Sequence, residues 1–348
     1  MSDTQGTAPA GDGAEKTAGE PGGRPVGNTV PDAVSDVVPA TEGDAARDAA
    51  TRVYTDHREL LFGVVYSMLG SVADTEDVLQ DTWLAWTARD TDTAAAPVES
   101  PRAYLVRIAV NKAIARRAAV SRRRESYVGP WLPEPLISQL DPAAPQAGTA
   151  DTADTVERAE SVSVALMVVL ETLTPLERAV FVLHEVFGYS HPEIADTLGR
   201  TPAAVRQVAH RARAHVQARR PRYRPEPRVR RQVTERFAAA VGGGDLHALL
   251  ELLAPEVTLW ADGGGKAVAA GLRPVHGRDR VARVLVQGAG RTGTGLEVRW
   301  ARANGDPSAL LFRGDTPFGV LVLDLTPDGE QVAGVYFLTN PDKLTHVH

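Results

Sequence analysis

The chain has 348 residues, 43% of them hydrophobic and 24% charged, with a formal net charge of −6. That length and apolar content predict two or three domains with real cores, while no apolar run approaches the roughly 18 residues of a membrane span and the N-terminus lacks a secretion signal. Cysteine is absent, which excludes a disulfide frame, thiolate metal ligation and a thiol redox switch, so the expectation is a cytoplasmic protein with no membrane partner.

Residues 1–50 hold nine acids against three bases. They are rich in Gly, Ala, Pro and Thr without periodicity, and read as a disordered acidic tail, with order expected to begin near Tyr54. From Tyr54 to Leu69 the apolar residues Leu61, Val64, Val65 and Met68 recur at helical spacing, and Gly70 ends that helix. Asp74 is the expected cap of the next, which carries Val78, Leu79, Trp83 and Trp86. Ser100-Pro101 spells a cap and first turn for a third helix, bearing Tyr104, Leu105 and Ile108. Residues 102–124 carry eight Lys/Arg and no acid, as expected of a polyanion-binding face rather than merely a solvated one. A compact all-α domain is predicted over 52–125.

Five prolines in 126–153 forbid a continuing helix and mark 126–154 as a stiff linker. A second all-α domain is predicted over 155–220, with a helix at about 155–171. The capping box Thr174-Pro175-Leu176-Glu177, Ser190 with Glu193, and Thr201-Pro202 mark helix starts. Residues 191–215 have the pattern of a helix-turn-helix. Ala195 permits close crossing, Gly199 can take the positive φ of the turn, and Ile194, Leu198, Val205 and Val208 fill the wedge. That placement leaves Thr201 and Ala203 at the N-terminal end of the second helix and turns Arg206, Gln207, His210 and Arg211 outward, groups suited to base edges and phosphates in a major groove. Residues 200–231 carry eleven Arg against one acid, Glu226.

Beyond the Pro/Arg-rich hinge the texture changes. Helices are expected at 228–240, 245–253 and 277–287, followed by alternating strands at Leu296–Trp300, Ala309–Phe312, Phe318–Leu325 and Val332–Leu338. Helices first and a curled sheet after them predict an α+β domain over 226–348.

With these motifs in order, residues 52–220 resemble the extracytoplasmic-function sigma factors of the sigma-70 family. Asp77-Val78-Leu79-Gln80-Asp81-Thr82-Trp83, continuing to Trp86, resembles region 2.1–2.2, which in the family grips the clamp helices of the RNA polymerase largest subunit. Pro101–Ala113 resembles regions 2.3–2.4, which melt and read the −10 element. The resemblance implies promoter contacts by Arg102, Arg107, Asn111, Lys112, Arg116 and Arg117. Leu173–Arg213 resembles region 4, which reads the −35 element and meets the polymerase flap.

A narrower resemblance rests on three further segments. They are Trp131-Leu132-Pro133-Glu134-Pro135, Asp262-Gly263-Gly264-Gly265-Lys266, and Asn340-Pro341-Asp342-Lys343-Leu344. They are similar to the group whose sigma modules carry a fused C-terminal domain of the SnoaL-like, NTF2-like cone fold. The resemblance implies that this domain tunes activity from within the chain, the three segments docking on one another.

Cone-fold relatives include enzymes that use Asp–His pairs. Asp262, Asp279, Asp324 and His276 are candidates, but spacing pairs none of them, and Asp262 reads more simply as a turn residue ahead of three glycines. No catalytic residue is therefore assigned. Gly263–Lys266 lacks the first glycine and the Ser/Thr of a phosphate loop. The histidines lack metal spacing, His346 and His348 reading as a frayed tail, so no metal or cofactor is expected. A small-molecule ligand in the cone stays open. The alternative function is a ligand-sensing helix-turn-helix regulator that acts without polymerase.

Overall fold

A computed structural model describes residues 42–90, 98–139, 162–218, 225–267, 271–292 and 295–348. Most of the predicted tail, the loop 91–97 and much of the linker lie outside the described residues. The first helix, α1 (Glu42–Leu69), begins well before Tyr54 and is followed by α2 (Val72–Asp90) and α3 (Pro101–Glu125). The α2 cap differs from expectation. Ser71 Oγ accepts from Asp74 N at 3.3 Å, while the Asp74 carboxylate is buried and accepts from Arg116 Nη2 at 2.8 Å and Arg123 Nη2 at 2.6 Å. Two guanidiniums outcompete the backbone for that carboxylate.

The second helical segment comprises α4 (Val164–Leu170), α5 (Pro175–Phe181) running into a π turn (Val182–Val186), α6 (His191–Leu198) and α7 (Pro202–Gln217). The capping boxes at Thr174/Glu177 and Ser190/Glu193 form as the sequence predicts. The two helical segments are not independent bodies: one hydrophobic cluster runs from Leu61, Val64 and Leu105 through Met167, Val180 and Leu183 to Val205 and Ala212.

Their junction is polar. The last turn of α1 has carbonyls without intrahelical partners. Arg178 Nε donates to Ser67 O at 2.8 Å, Arg117 Nη1 to Met68 O at 2.9 Å and Arg124 Nη2 to Leu69 O at 2.8 Å. All three guanidiniums also pair with the carboxylate of Glu171: Arg117 at 3.0 Å, Arg178 at 2.5 Å, and Arg124 in closer contact still. Arg178 is wholly buried, and burial weakens the proton affinity of each of the three, although a guanidinium stays charged throughout.

The C-terminal part places α8 (Pro227–Gly243), α9 (Leu246–Leu252) and α10 (Arg278–Thr292) with strands β2 (Leu253–Asp262), β3 (Val275–His276), β4 (Glu297–Ala303), β5 (Asp306–Arg313), β6 (Thr316–Leu325) and β7 (Val332–Leu338). A short linker strand, β1 (Ile137–Ser138), completes a seven-stranded sheet of order β1-β4-β5-β6-β7-β2-β3, in which only β2 and β7 run parallel. Val233, Phe237, Leu249, Leu259, Val281, Leu321 and Val335 form the core shared by the sheet and helices α8–α10. A second cluster joins Leu310, Phe312, Val322 and Leu338 to linker residue Leu132, to Val164 and Ala165 of α4, and to Leu344 and Val347 near the C-terminus. The sheet thus packs directly on the linker and on the second helical segment. The linker is a docked edge strand rather than a free tether, and Val347 anchors a terminus expected to fray.

The β4–β5 hairpin turns on Asn304-Gly305, both at positive φ (52° and 73°), the pairing that a two-residue hairpin demands. The fully buried Asn304 side chain donates to Tyr66 Oη at 2.9 Å and accepts from Leu136 N at 3.1 Å, tying sheet, linker and α1 together.

Glu171→Gln would leave three guanidiniums around a neutral amide. Unpairing a buried ion pair typically costs about 3–5 kcal/mol. Because Glu171 is partly exposed, a loss of about 2–4 kcal/mol in urea unfolding, followed by tryptophan fluorescence, is expected. A change under about 1 kcal/mol would mean that the α1 carbonyls alone satisfy the arginines.

Candidate promoter and polymerase interface

The helix-turn-helix forms around its wedge. Ile194, Ala195, Val205 and Val208 are buried, Gly199 closes α6 in the left-handed conformation (φ 61°), and Thr201 Oγ1 accepts from Ala204 N at 3.3 Å. Thr201, Ala203, Arg206, Gln207, His210 and Arg211 are exposed, and the last five together line one open depression. Arg211 lies 3.6 Å from Glu177, while Glu185 holds Arg213 with Nε at 2.9 Å. The face presented by α7 is therefore cationic, with Arg206 and Gln207 at its head.

The basic helix α3 divides into two parts, which corrects the uniform polyanion face expected from sequence. Arg102, Arg107 and Asn111 are exposed and Lys112 is half-buried. Arg116 is held by Asp74 and by Asp77 at 2.5 Å, and Arg117 is buried on Glu171. Arg117 is thus a fastening residue in this conformation, and Arg116 reaches solvent only in part. The exposed part also touches the second segment. Arg102 lies over the Tyr189 ring at 5.7 Å, and Asn111 Nδ2 donates to Thr197 O at 3.2 Å.

On α2 the predicted polymerase set also divides. Val78, Leu79 and Trp86 are buried, Trp86 Nε1 donating to Ala50 O at 3.0 Å, and Trp83 packs on Tyr54 with ring centroids 5.1 Å apart. These side chains hold the helix rather than present an interface. Asp77, Gln80 and Asp81 are exposed, joined by Leu84, which is 56% exposed. Leu84 was missed because an apolar residue in an apolar-periodic helix looks like core; only its offset from Val78, Leu79 and Trp86 betrays it.

The third constellation is where linker, glycine loop and C-terminal segment meet. Parallel pairing aligns Asp262 at the end of β2 with Leu338 at the end of β7, so both following segments leave the sheet side by side. Asp262 is fully buried and is no simple turn residue. Its carboxylate accepts from Lys343 Nζ at 2.7 Å, Tyr127 Oη at 2.5 Å, Leu132 N at 2.8 Å and Gly264 N at 3.2 Å. Asn340 Nδ2 donates to Tyr127 Oη at 2.7 Å. Gly264 has φ 58°, and a Cβ there would stand 2.4 Å from the Asn340 amide. Lys266 pairs with Asp342 at 2.6 Å.

Trp131 is flanked by two cations, Arg124 at 3.4 Å and Lys343 at 4.0 Å from its ring. Leu132, Pro133 and Pro135 are buried, and Glu134 accepts from Val72 N at 2.7 Å. Pro341 and Asp342 stay exposed while Leu344 is buried. Gly263 O accepts from Lys266 N at 2.9 Å, and Gly265 meets Val128. Burial lowers the Lys343 ammonium to about 8 against the pull of Asp262, and burial beside Asp262 raises the Tyr127 phenol. Of the other acid–base candidates, His276 Nδ1 lies 3.0 Å from Thr258 Oγ1. Among the described residues no helix is long and apolar enough to cross a membrane, and no cluster of metal-ligating side chains occurs.

Comparison with known proteins matches these parts. The family model for sigma-70 region 2 matches residues 53–124, and that for sigma-70 region 4 matches residues 163–216. The chain is 36% identical to the ECF RNA polymerase sigma factor SigJ of Mycobacterium tuberculosis over 83% of its own length and 91% of that protein's. It is 30% identical to the probable ECF sigma factor SigI of the same species, covering 85% of this chain and 95% of that one. The crystal structure of SigJ superimposes with a TM-score of 0.63 at 32% identity, covering 85% of this chain and 98% of that one.

The chain has only four lysines, Lys16, Lys112, Lys266 and Lys343, so lysine side-chain NMR can follow Lys343 alone. Its midpoint is expected near pH 8 rather than 10.5. Because the folded ammonium binds its proton less tightly, unfolding takes up a proton between those values, and for this group alkali over that window favours the folded state. Asp262→Asn removes the attracting charge and should drive the midpoint lower still; a rise on that substitution would mean that the pair is not formed.

Proposed function

Because the chain belongs to the extracytoplasmic-function sigma-70 family, and is therefore an RNA polymerase sigma factor that acts with core polymerase and promoter DNA, we propose the following assignment of its surfaces. Arg206, Gln207, His210 and Arg211, with Thr201 and Ala203 at the helix start, read the −35 element in the major groove. Arg102, Arg107, Asn111 and Lys112 serve the −10 element. Asp77, Gln80, Asp81 and Leu84 meet the clamp helices of the polymerase largest subunit, and the second helical segment meets the flap. The observation that carries this reading is the separation on each helix between a buried apolar face and an exposed face of the chemistry its target requires. The polymerase-independent regulator is not favoured, since the relatives named above are sigma factors over most of this chain's length.

The fused domain acts by contact rather than by turnover. Supporting this, every Asp262 interaction named above serves to join the linker, the glycine loop and the C-terminal segment. In the closed arrangement Asn111 and Arg102 face the second helical segment, so promoter reading requires that segment to move away, and the Asp262–Lys343 contact opposes the movement.

Arg206→Ala should cost roughly 1–3 kcal/mol of discrimination at one −35 position, read by comparing promoter variants with reconstituted holoenzyme. A smaller, sequence-blind loss would recast Arg206 as a phosphate contact.

Removing residues 340–348 should raise run-off transcription relative to the full chain at equal holoenzyme concentration. Unchanged output would sink the restraining role of the C-terminal segment. Failure of the full chain to form a promoter complex with core polymerase would sink the whole assignment.

A further inference from the structure

The sigma-factor reading leaves one strongly charged surface of the fused domain without a role. On α10 the residues Arg280, Arg283, Gln287 and Arg291 are exposed, and at 100° per residue they fall on one stripe of the helix. The opposite face, Val281, Ala282, Leu285 and Val286, packs into the domain core. The one acid of the helix, Asp279, is exposed at the edge of the stripe, one turn before Arg283, and its backbone carbonyl rather than its carboxylate accepts from Arg283 Nε, at 3.0 Å. Arg273, ahead of β3, is exposed as well.

Some surface arginines have a carboxylate at hand, as Arg213 has Glu185, Arg231 has Glu235 and Arg299 has Glu297; what sets α10 apart is that three without one share a single helix face. Among the described residues no carboxylate lies within ion-pair distance of Arg273, Arg280, Arg283 or Arg291. Arg206 at the head of the reading helix shares that condition.

We propose that the solvent face of α10 is a second, sequence-blind contact to duplex DNA, made through backbone phosphates beside the −35 element. Three points favour DNA over other polyanions. The eleven helical steps from Arg280 to Arg291 span about 16 Å, the rise of about five base pairs. Arginines without carboxylate partners are free to replace condensed counterions one for one. And α7 ends at Gln217 while α8 begins at Pro227, so even a fully extended connection of nine residues, ten Cα-to-Cα steps, reaches only about 35 Å. The domain therefore stays beside whatever duplex α7 occupies, in the closed arrangement or an open one.

The test compares the full chain with R280Q/R283Q/R291Q and R280K/R283K/R291K, each assembled with core polymerase on a promoter duplex across about 50–200 mM salt. The Gln triple should flatten the slope of log affinity against log salt by roughly 2–3, at about 0.9 for each phosphate no longer neutralised, with discrimination at the −35 bases unchanged. The Lys triple should keep the slope, since a phosphate accepts a point charge from lysine. An unchanged slope in the Gln triple, or a flattened slope in the Lys triple, overturns the proposal. Weakened assembly with polymerase in place of a changed salt slope also overturns it and assigns the stripe to an acidic protein surface. The proposal depends on the sigma-factor reading only for the position of the duplex. Binding of the free chain to a random duplex at low salt reads the same slope difference even if no holoenzyme forms.

Discussion

A single carboxylate, that of Glu171, stands among three guanidiniums at the end of α1. The arrangement is unbalanced, one formal anion against three cations, and it holds because the helix end supplies the remainder. The carbonyls of Ser67, Met68 and Leu69 each accept from a different arginine, and the C-terminal end of the α1 dipole adds partial negative charge. Arg117 comes from α3 and Arg178 from α5, so satisfying the end of one helix requires the other helical segment to be present. Two segments that could each have capped their own helices with water instead share one cap and one core.

The same junction extends into the fused domain without a break. Arg124, one of the three arginines on Glu171, covers one side of the Trp131 ring while Lys343 lies against it as well, and Lys343 is held by Asp262. Cation–π attraction strengthens as water is excluded, so each cation depends on the burial that the others create. Asn304 runs in parallel, linking the β4–β5 hairpin to Tyr66 of α1. The linker between the helical segments thus touches every part of the assembly, and its prolines lower the entropy lost in docking it.

Much of this was legible in the sequence because the signals were local. Capping boxes, the Gly199 turn, the Gly70 stop and strands β4 to β7 depend on neighbours a few residues away, and they appear within three residues of expectation. The meeting of linker, glycine loop and C-terminal segment was legible only through resemblance, since the residues involved stand far apart in the chain. What sequence misread was partnership at long range. Strand β2 was overlooked because Leu253–Asp262 is buried on both faces and so lacks clean alternation. Arg117 looked like its neighbours Arg107 and Arg116, and nothing near it in sequence foretells Glu171. Asn304-Gly305 was a hairpin signal left unread, and the burial of Asn304 between α1 and the linker has no local signature at all.

That misreading bears on how such a protein can open. The basic residues of α3 do not wait idle for DNA: Arg116 and Arg123 already hold Asp74, and Arg117 and Arg124 already hold Glu171. A phosphate oxygen makes the same charge-assisted contact to a guanidinium as a carboxylate oxygen. Promoter DNA arriving along α3 would therefore exchange one set of anions for another rather than neutralise bare charge. Separating the helical segments would strip the cap from α1 but return three guanidiniums to the surface. The balance between those states then turns on contacts made by the fused domain, among which Lys343 with Asp262 and Asn304 with Tyr66 are deeply buried. A domain that never touches a promoter base can govern promoter reading in this way, because it bears on the anion that the basic helix would have to give up.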